Sequence, residues 1–85
     1  MNDIVVYTTD PCSFCVRVKQ LLATRGIEYT EVNLARDPAG RAQLVEQTGM
    51  MSFPQVVIRG EVLGGFQETV KADQSGRLRE LLAAA

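Results

Sequence analysis

The sequence predicts one α/β domain whose four-stranded mixed sheet has helices on both faces. Three observations predict it. An apolar run near the N-terminus is followed by an amphipathic segment and then by an alternating one, which is the βαβ pattern. A second helix start comes next, and two short apolar runs separated by a glycine-containing turn then indicate a hairpin. The length of 85 residues allows a single modest core, so residues 1–85 are expected to form one domain.

The first half of the chain accounts for the βαβ unit. Residues 4–7 are apolar at every position, as expected of a strand covered on both faces. Residues 8–11 are predicted as a loop, because Pro11 disfavours helical geometry at the residue before it. A helix over residues 13–25 ends at Gly26, and residues 28–33 alternate as a second strand. The apolar face of the helix carries Cys15, Val18 and Leu22.

The second half is predicted as helix, hairpin and helix. Asp37 followed by Pro38 marks a helix start, since it places a capping side chain before a proline in the first turn. Residues 55–58 and 62–63 are predicted as the hairpin strands, and a last helical region over residues 66–83 bends near residues 75–76. Buried positions are expected at Ala42, Val45 and Gly49 with Leu44 beside them, and then at Val70, Leu78, Leu81 and Leu82.

Charge and hydropathy exclude several classes of partner. The net charge is −1 and the basic residues are scattered, so no stripe exists to neutralise the phosphates of a nucleic acid. The longest apolar stretch near the start is residues 4–7, far short of a membrane span or an export signal. We therefore expect a cytoplasmic protein that binds neither nucleic acid nor membrane. In that reducing compartment a pair of cysteines favours catalysis over a structural disulfide.

The two cysteines, Cys12 and Cys15, lie where the first strand gives way to the first helix. The unpaired N–H groups and the positive dipole end of a helix start favour a thiolate over a thiol. Cys12 is therefore predicted to attack, with help from the Thr9 hydroxyl, and Cys15, one turn deeper, to resolve the mixed disulfide. The chain has no His, which excludes a Cys–His hydrolase. Two cysteines alone also fall short of the four ligands of a closed zinc site, so no metal site is predicted.

Two further motifs allow a structural and a functional interpretation each. Ser52-Phe53-Pro54 precedes the third strand. A proline at the entrance to a strand commonly just ends sheet pairing at an edge. A cis Phe53–Pro54 bond would instead leave the Phe53 backbone free to pair with a peptide-like substrate. Residues 64–68 open the last helix, whose N-terminus can take a carboxylate. Glu68 is either a charge favoured by the helix dipole or an acceptor for a ligand's ammonium group.

Together these motifs resemble those of glutaredoxins of the small bacterial dithiol type. The resemblance covers essentially the whole chain, through residues 4–8, 12–15, 52–55 and 64–68. It implies a thioredoxin-like fold and no tightly bound cofactor. It also implies glutathione as co-substrate in the reduction of protein disulfides or glutathionylated proteins. We expect the protein to be a monomer.

The resemblance also implies roles by position. Cys12 corresponds to the nucleophile and Cys15 to the resolving thiol, while Pro54 corresponds to a cis-proline preceded by a Phe53 backbone that pairs with glutathione. The other implied glutathione contacts are Thr9, Phe14, Arg41 for the glycyl carboxylate, Ser52, Gly65, Phe66, Gln67 and Glu68.

Three departures from the family pattern leave alternatives open. Ser13-Phe14 stands where Pro-Tyr is common, Thr9 replaces a lysine, and Gln67 replaces an acidic residue. Losing the proline predicts a changed redox poise of the thiol, and losing the lysine and the acidic residue predicts weaker glutathione binding. One alternative therefore resembles redoxins recycled by thioredoxin reductase or mycothiol, for example in the service of ribonucleotide reductase. Another is a [2Fe–2S] carrier in which Cys12 from two chains and two external thiols hold the cluster.

Overall fold

A computed structural model describes residues 4–83 of the chain. They form four strands and four helices in the predicted order, except that the last helical region is two helices. The elements are β1 (Ile4–Thr8), α1 (Ser13–Thr24), β2 (Thr30–Asn33), α2 (Pro38–Thr48), β3 (Gln55–Ile58), β4 (Glu61–Gly64), α3 (Phe66–Ser75) and α4 (Arg77–Ala83). None of the helices within residues 4–83 is long and apolar enough to cross a membrane.

The four strands form one mixed sheet in the order β2-β1-β3-β4. β1 and β2 are parallel, as a right-handed βαβ unit requires, and the other two pairings are antiparallel. The turn between β3 and β4 consists of Arg59 and Gly60, both with positive φ (51° and 81°). Two-residue turns with positive φ at both positions match the right-handed twist of the hairpin strands. β4 therefore starts at Glu61, one residue earlier than predicted.

Helices cover both faces of the sheet, as predicted. Ile4 pairs with Ile58 and Val6 with Val56, so these four side chains share one face. That face forms the main core with residues of α1, α3 and α4, which are Val18, Leu22, Ala72 and Leu78. The opposite face carries Gln55, which borders a cavity together with residues of α2, Arg41, Ala42 and Val45. The Cys15, Val18 and Leu22 face predicted for α1 is confirmed as its buried face.

The predicted buried side of α2 was wrong. Ala42 and Gly49 are exposed and Val45 is only partly buried, while Leu44, expected beside them, is the buried residue of this helix. Gly49 is not part of the helix but its left-handed C-cap, with φ 73°. Leu44 is the one residue of α2 that the structure buries, and apolar spacing alone did not indicate it.

The last helical region also buries a different residue from the one predicted. Thr69 and Ala72 are the buried residues of α3, and Val70 is only partly buried. Thr69 can face the core because its hydroxyl donates to the Gly65 carbonyl at 2.8 Å, which satisfies its polar atom. The expected bend is a break at Gly76, whose φ of 81° ends α3, and Leu78 of α4 is buried as predicted.

Candidate active site

The N-terminus of α1 is built around Cys12. Cys12 is the N-cap residue, in extended conformation (φ −156°, ψ 100°), and its Sγ accepts a hydrogen bond from the Cys15 backbone N–H at 3.1 Å. The two cysteines are joined by a disulfide, with their Cα atoms 5.2 Å apart. A sulfur atom thus occupies the place where a helix start binds negative charge.

The two sulfurs differ in access. Cys12 is partly exposed, whereas Cys15 is 2% exposed and lies on the core-facing side of α1. A reagent from solution therefore reaches the disulfide from the Cys12 side. This is the difference in depth that the three-residue spacing predicts.

A cavity of about 180 Å³ borders the first turn of α1. Three separate segments form it: α1 through one residue, the loop before β3, and the start of α3. Its lining residues are Phe14, Ser52, Phe53, Pro54, Gly65, Phe66, Gln67 and Glu68. All eight are among the residues singled out from the sequence, and we call this cavity the groove.

An aromatic pair joins two walls of the groove. The rings of Phe14 and Phe66 are stacked, with centroids 5.4 Å apart and planes 23° apart. The Arg17 guanidinium carbon lies 5.6 Å from the centroid of the Phe14 ring, a cation–π distance. Sequence reasoning missed both contacts, although the three-residue spacing from Phe14 to Arg17 on a helix signals the second one. Phe14 is nevertheless 47% exposed, so its ring remains open to a ligand.

The floor of the groove contains a cis-proline. The Phe53–Pro54 peptide bond is cis, as the resemblance implied, and so is Asp10–Pro11, for which the sequence carried no signal. Phe53 precedes the first residue of β3 that pairs in the sheet, Gln55 opposite Tyr7. A side chain added at Gly65 would come within 3.4 Å of the Pro54 carbonyl oxygen, so this side of the groove is narrow.

The N-terminus of α3 is capped by the carboxylate of Glu68, a residue of the same helix. Glu68 Oε1 accepts the Gly65 N–H at 2.8 Å, which forms a capping box. Gly64 has φ 130°, and a Cβ there would lie 2.7 Å from Glu68 Cγ, so glycine is required beside this carboxylate. Of the two interpretations of Glu68, the structure therefore shows helix capping, and the Gly65 N–H already has an acceptor.

Two predicted contact residues lie outside the groove. Arg41 Nη1 donates to the carbonyl oxygens of Leu34 (2.6 Å) and Ala35 (3.0 Å), and its side chain borders the α2 cavity. Thr9 is partly exposed in the loop before Cys12 and does not line the groove. The α2 cavity and the groove share Phe53 as a common wall.

A comparison with protein families decides the assignment. The sequence model of the family described as Glutaredoxin matches residues 4–63. The chain belongs to the glutaredoxin family. With its Cys12–Cys15 pair, it is a thiol–disulfide oxidoreductase with a thioredoxin-like fold.

Individual relatives and a solved structure agree with this membership. A glutaredoxin of Pseudomonas aeruginosa is 34% identical over 84 residues, which are 99% of this chain and 100% of that protein. Glutaredoxin 3 of Escherichia coli K12 is 29% identical over 82 residues, 96% of this chain and 99% of that one. The crystal structure of a buckwheat glutaredoxin–glutathione complex superposes with a TM-score of 0.86 at 31% identity, covering 95% of this chain and 76% of that one.

Within residues 4–83, no three or more His, Cys, Asp and Glu side chains are grouped so that they could hold a metal ion.

Proposed function

We propose that this chain is a glutathione-dependent oxidoreductase that reduces protein disulfides and glutathionylated proteins. The observation that carries the proposal is the groove, in which Phe14, the residues before β3 and the start of α3 meet, and Phe14 lies between the two disulfide-bonded cysteines in the chain. A buckwheat relative of the same fold is known in complex with glutathione, which supports this ligand for the groove.

The first chemical step falls to Cys12 of the reduced protein. The Cys12 thiolate attacks the glutathione sulfur of a glutathionylated protein, forming a mixed disulfide as the original S–S bond breaks. The released protein thiolate takes a proton from water. The Cys15 N–H, which donates to Cys12 Sγ at 3.1 Å, supports the negative charge of the attacking sulfur.

The mixed disulfide is resolved by one of two thiols. A second glutathione thiolate can attack the bound glutathione sulfur, which releases glutathione disulfide and restores the Cys12 thiolate. Alternatively Cys15 attacks Cys12 Sγ, which expels glutathione and forms the Cys12–Cys15 disulfide. Two further glutathione molecules then reduce this disulfide. For protein disulfides, the Cys15 route is required to release the second substrate thiol.

Contacts to glutathione are proposed for the residues that line the groove. The Phe14 ring flanks the glutathione sulfur, and the Phe53 backbone pairs with the tripeptide. The start of α3 faces the γ-glutamyl end. Because Arg41 lies in the α2 cavity and donates to two carbonyl oxygens there, it reaches the glycyl carboxylate only if that end of glutathione extends past Phe53.

We further propose that the protein acts as a monomer in a reducing cytoplasm. Its partners are glutathione or a similar low-molecular-weight thiol and the disulfide-containing proteins that it reduces. No role with nucleic acid or membrane is proposed, because the net charge is −1 and the basic residues are dispersed.

Parallel turnover assays test the proposal. The reduced protein is given a glutathionylated peptide with three recycling systems, namely glutathione with its reductase, mycothiol, and thioredoxin reductase with NADPH. We expect the fastest turnover with glutathione, no turnover for Cys12→Ser, and retained deglutathionylation for Cys15→Ser. If only thioredoxin reductase or only mycothiol supports turnover, that system rather than glutathione recycles the protein. Equal loss of deglutathionylation in both variants would contradict the route in which a second glutathione, rather than Cys15, resolves the mixed disulfide.

A further inference from the structure

Gln55 holds the main chain of the loop that forms one side of the groove. Its side chain is 1% exposed, and its amide Nε2 donates to the carbonyl oxygens of Met50 and Ser52, each at 3.0 Å. Both N–H bonds of the amide are therefore used on the loop that joins α2 to β3. The same loop carries Ser52 and Phe53 into the groove.

The loop is held from its other end as well. The Met50 N–H donates to Thr48 Oγ1 at 3.1 Å, and the Thr48 hydroxyl donates to the Leu44 carbonyl at 3.0 Å. Met50 is thus fixed through both of its main-chain polar groups, one by Thr48 and one by Gln55. Sheet pairing of β3 begins only at Gln55, so side chains rather than the sheet set the position of residues 50–52.

The other half of the Gln55 amide has a different environment. Its Oε1 is buried and has no hydrogen-bond partner among residues 4–83. The orientation of the amide is fixed, because the reverse orientation would place its oxygen against two carbonyl oxygens.

We propose that Gln55 is a positioning residue of the groove, whose amide holds residues 50–52 so that the Phe53 backbone is set in place to receive a glutathionyl group. The inference rests on the proposed function. Gln55 acts through Phe53, since its amide donates to the carbonyl oxygens of Met50 and Ser52 in the loop that leads to Phe53. Binding of the substrate should therefore depend on Gln55, whereas the reactivity of the Cys12 sulfur should not.

The test replaces Gln55 by Met, which has a similar length and no donor. With the glutathionylated peptide, Gln55→Met is expected to raise KM about tenfold, a loss of about 1.4 kcal/mol of binding free energy, and to leave kcat within about twofold. Alkylation of reduced Cys12 by iodoacetamide should keep its wild-type rate. Gln74→Met, at an exposed glutamine of α3, is the matched control and should change neither quantity.

A merely structural role would give another pattern. Loss of folded protein lowers kcat and the amplitude of thermal unfolding together and leaves KM unchanged, and that result would overturn the proposal. Thr48→Val removes the hydrogen bond that the Met50 N–H donates to Thr48 and leaves Gln55 unchanged. This variant tests the proposal if Gln55→Met does not fold. It should raise KM in the same direction by about threefold, which is about 0.6 kcal/mol.

The two proposals fail in different ways. If the wild-type protein does not turn over the glutathionylated peptide, the proposed function is refuted, and the role of Gln55 with it. If the wild-type protein is active and neither variant changes KM, only the role of Gln55 is refuted.

Discussion

A cysteine caps the first helix of this protein, at a position that usually holds Ser, Thr, Asp or Asn. Cys12 Sγ accepts the Cys15 N–H at 3.1 Å even in the disulfide state. When the disulfide is reduced, a thiolate is a better acceptor for that N–H than a neutral thiol. Capping of the helix and ionisation of the sulfur therefore favour each other, and this is how one residue serves both the fold and the chemistry.

Phe14 and Phe66 show the same double use at the residue scale. Their stacked rings, 5.4 Å apart, connect the first turns of α1 and α3 and also line the groove. We predict that a double-mutant cycle of Phe14→Leu and Phe66→Leu, measured by urea unfolding, gives a coupling free energy of about 0.5–1.5 kcal/mol. Phe14→Leu combined with Leu44→Ala in α2, which lies across the sheet from α1, serves as the control cycle. Additive effects of the Phe14 and Phe66 substitutions would show that the rings contribute separately.

At the scale of elements, α1 and α3 lie side by side with both N-termini at the groove. Phe14 contacts Phe66 at their starts, and Arg25 at the end of α1 binds Asp73 in the last turn of α3 through two hydrogen bonds of 2.9 Å. The N-terminus of α1 therefore supports a thiolate, whereas the N-terminus of α3 already has a negative charge beside it, the Glu68 carboxylate.

The Arg25–Asp73 ion pair at the C-terminal ends of α1 and α3 predicts a pH dependence of stability. The hydrogen bond from Arg25 is the main reason why the pKa of Asp73 lies below its ordinary value of 3.8; burial opposes this, and the charges of Arg25 and Arg79 reinforce it. A carboxyl whose pKa is lower in the folded state stabilises the fold above its unfolded pKa, and the contribution is lost as the pH falls through the folded pKa.

Asp73→Asn tests this prediction by urea unfolding at several pH values. The variant should have a lower free energy of unfolding than the wild type at neutral pH, and the difference should shrink as the pH falls below 3.8. Glu46→Gln, at an exposed carboxylate of α2, is the control and should differ little from the wild type. A difference for Asp73→Asn that stays constant into acid would mean that Asp73 stabilises the protein by packing alone.

For the whole molecule, the sequence predicted the order of elements along the chain, a mixed four-stranded sheet and most of the residues of the groove. Alternation, capping and turn signals are local, so they located βαβ, the second helix and the hairpin. The resemblance then indicated that Phe14, Phe53 and Phe66, which are far apart in sequence, belong to one ligand site, and the sheet and the helix starts bring them together.

Other features depended on contacts that no local signal encodes. Leu44 rather than Ala42 is the buried residue of α2, and the apolar spacing of the helix does not distinguish the two positions. The Gln55 amide binds the carbonyl oxygens of Met50 and Ser52, five and three residues earlier, through the irregular path of the loop, which no helical or strand periodicity describes. Arg41 lies in the α2 cavity because two carbonyl oxygens at the end of β2 attract its guanidinium group.

The most direct test of the account is the reactivity of Cys12 toward iodoacetamide as a function of pH. It is measured in reduced Cys15→Ser, so that one sulfur reacts, and is compared with the same variant unfolded in guanidinium chloride. Because main-chain N–H groups at the start of α1 hold the thiolate, we predict that the folded protein is alkylated near its maximal rate already at neutral pH, well before the unfolded chain. A folded protein whose alkylation rises only at alkaline pH, together with that of the unfolded chain, would contradict the account.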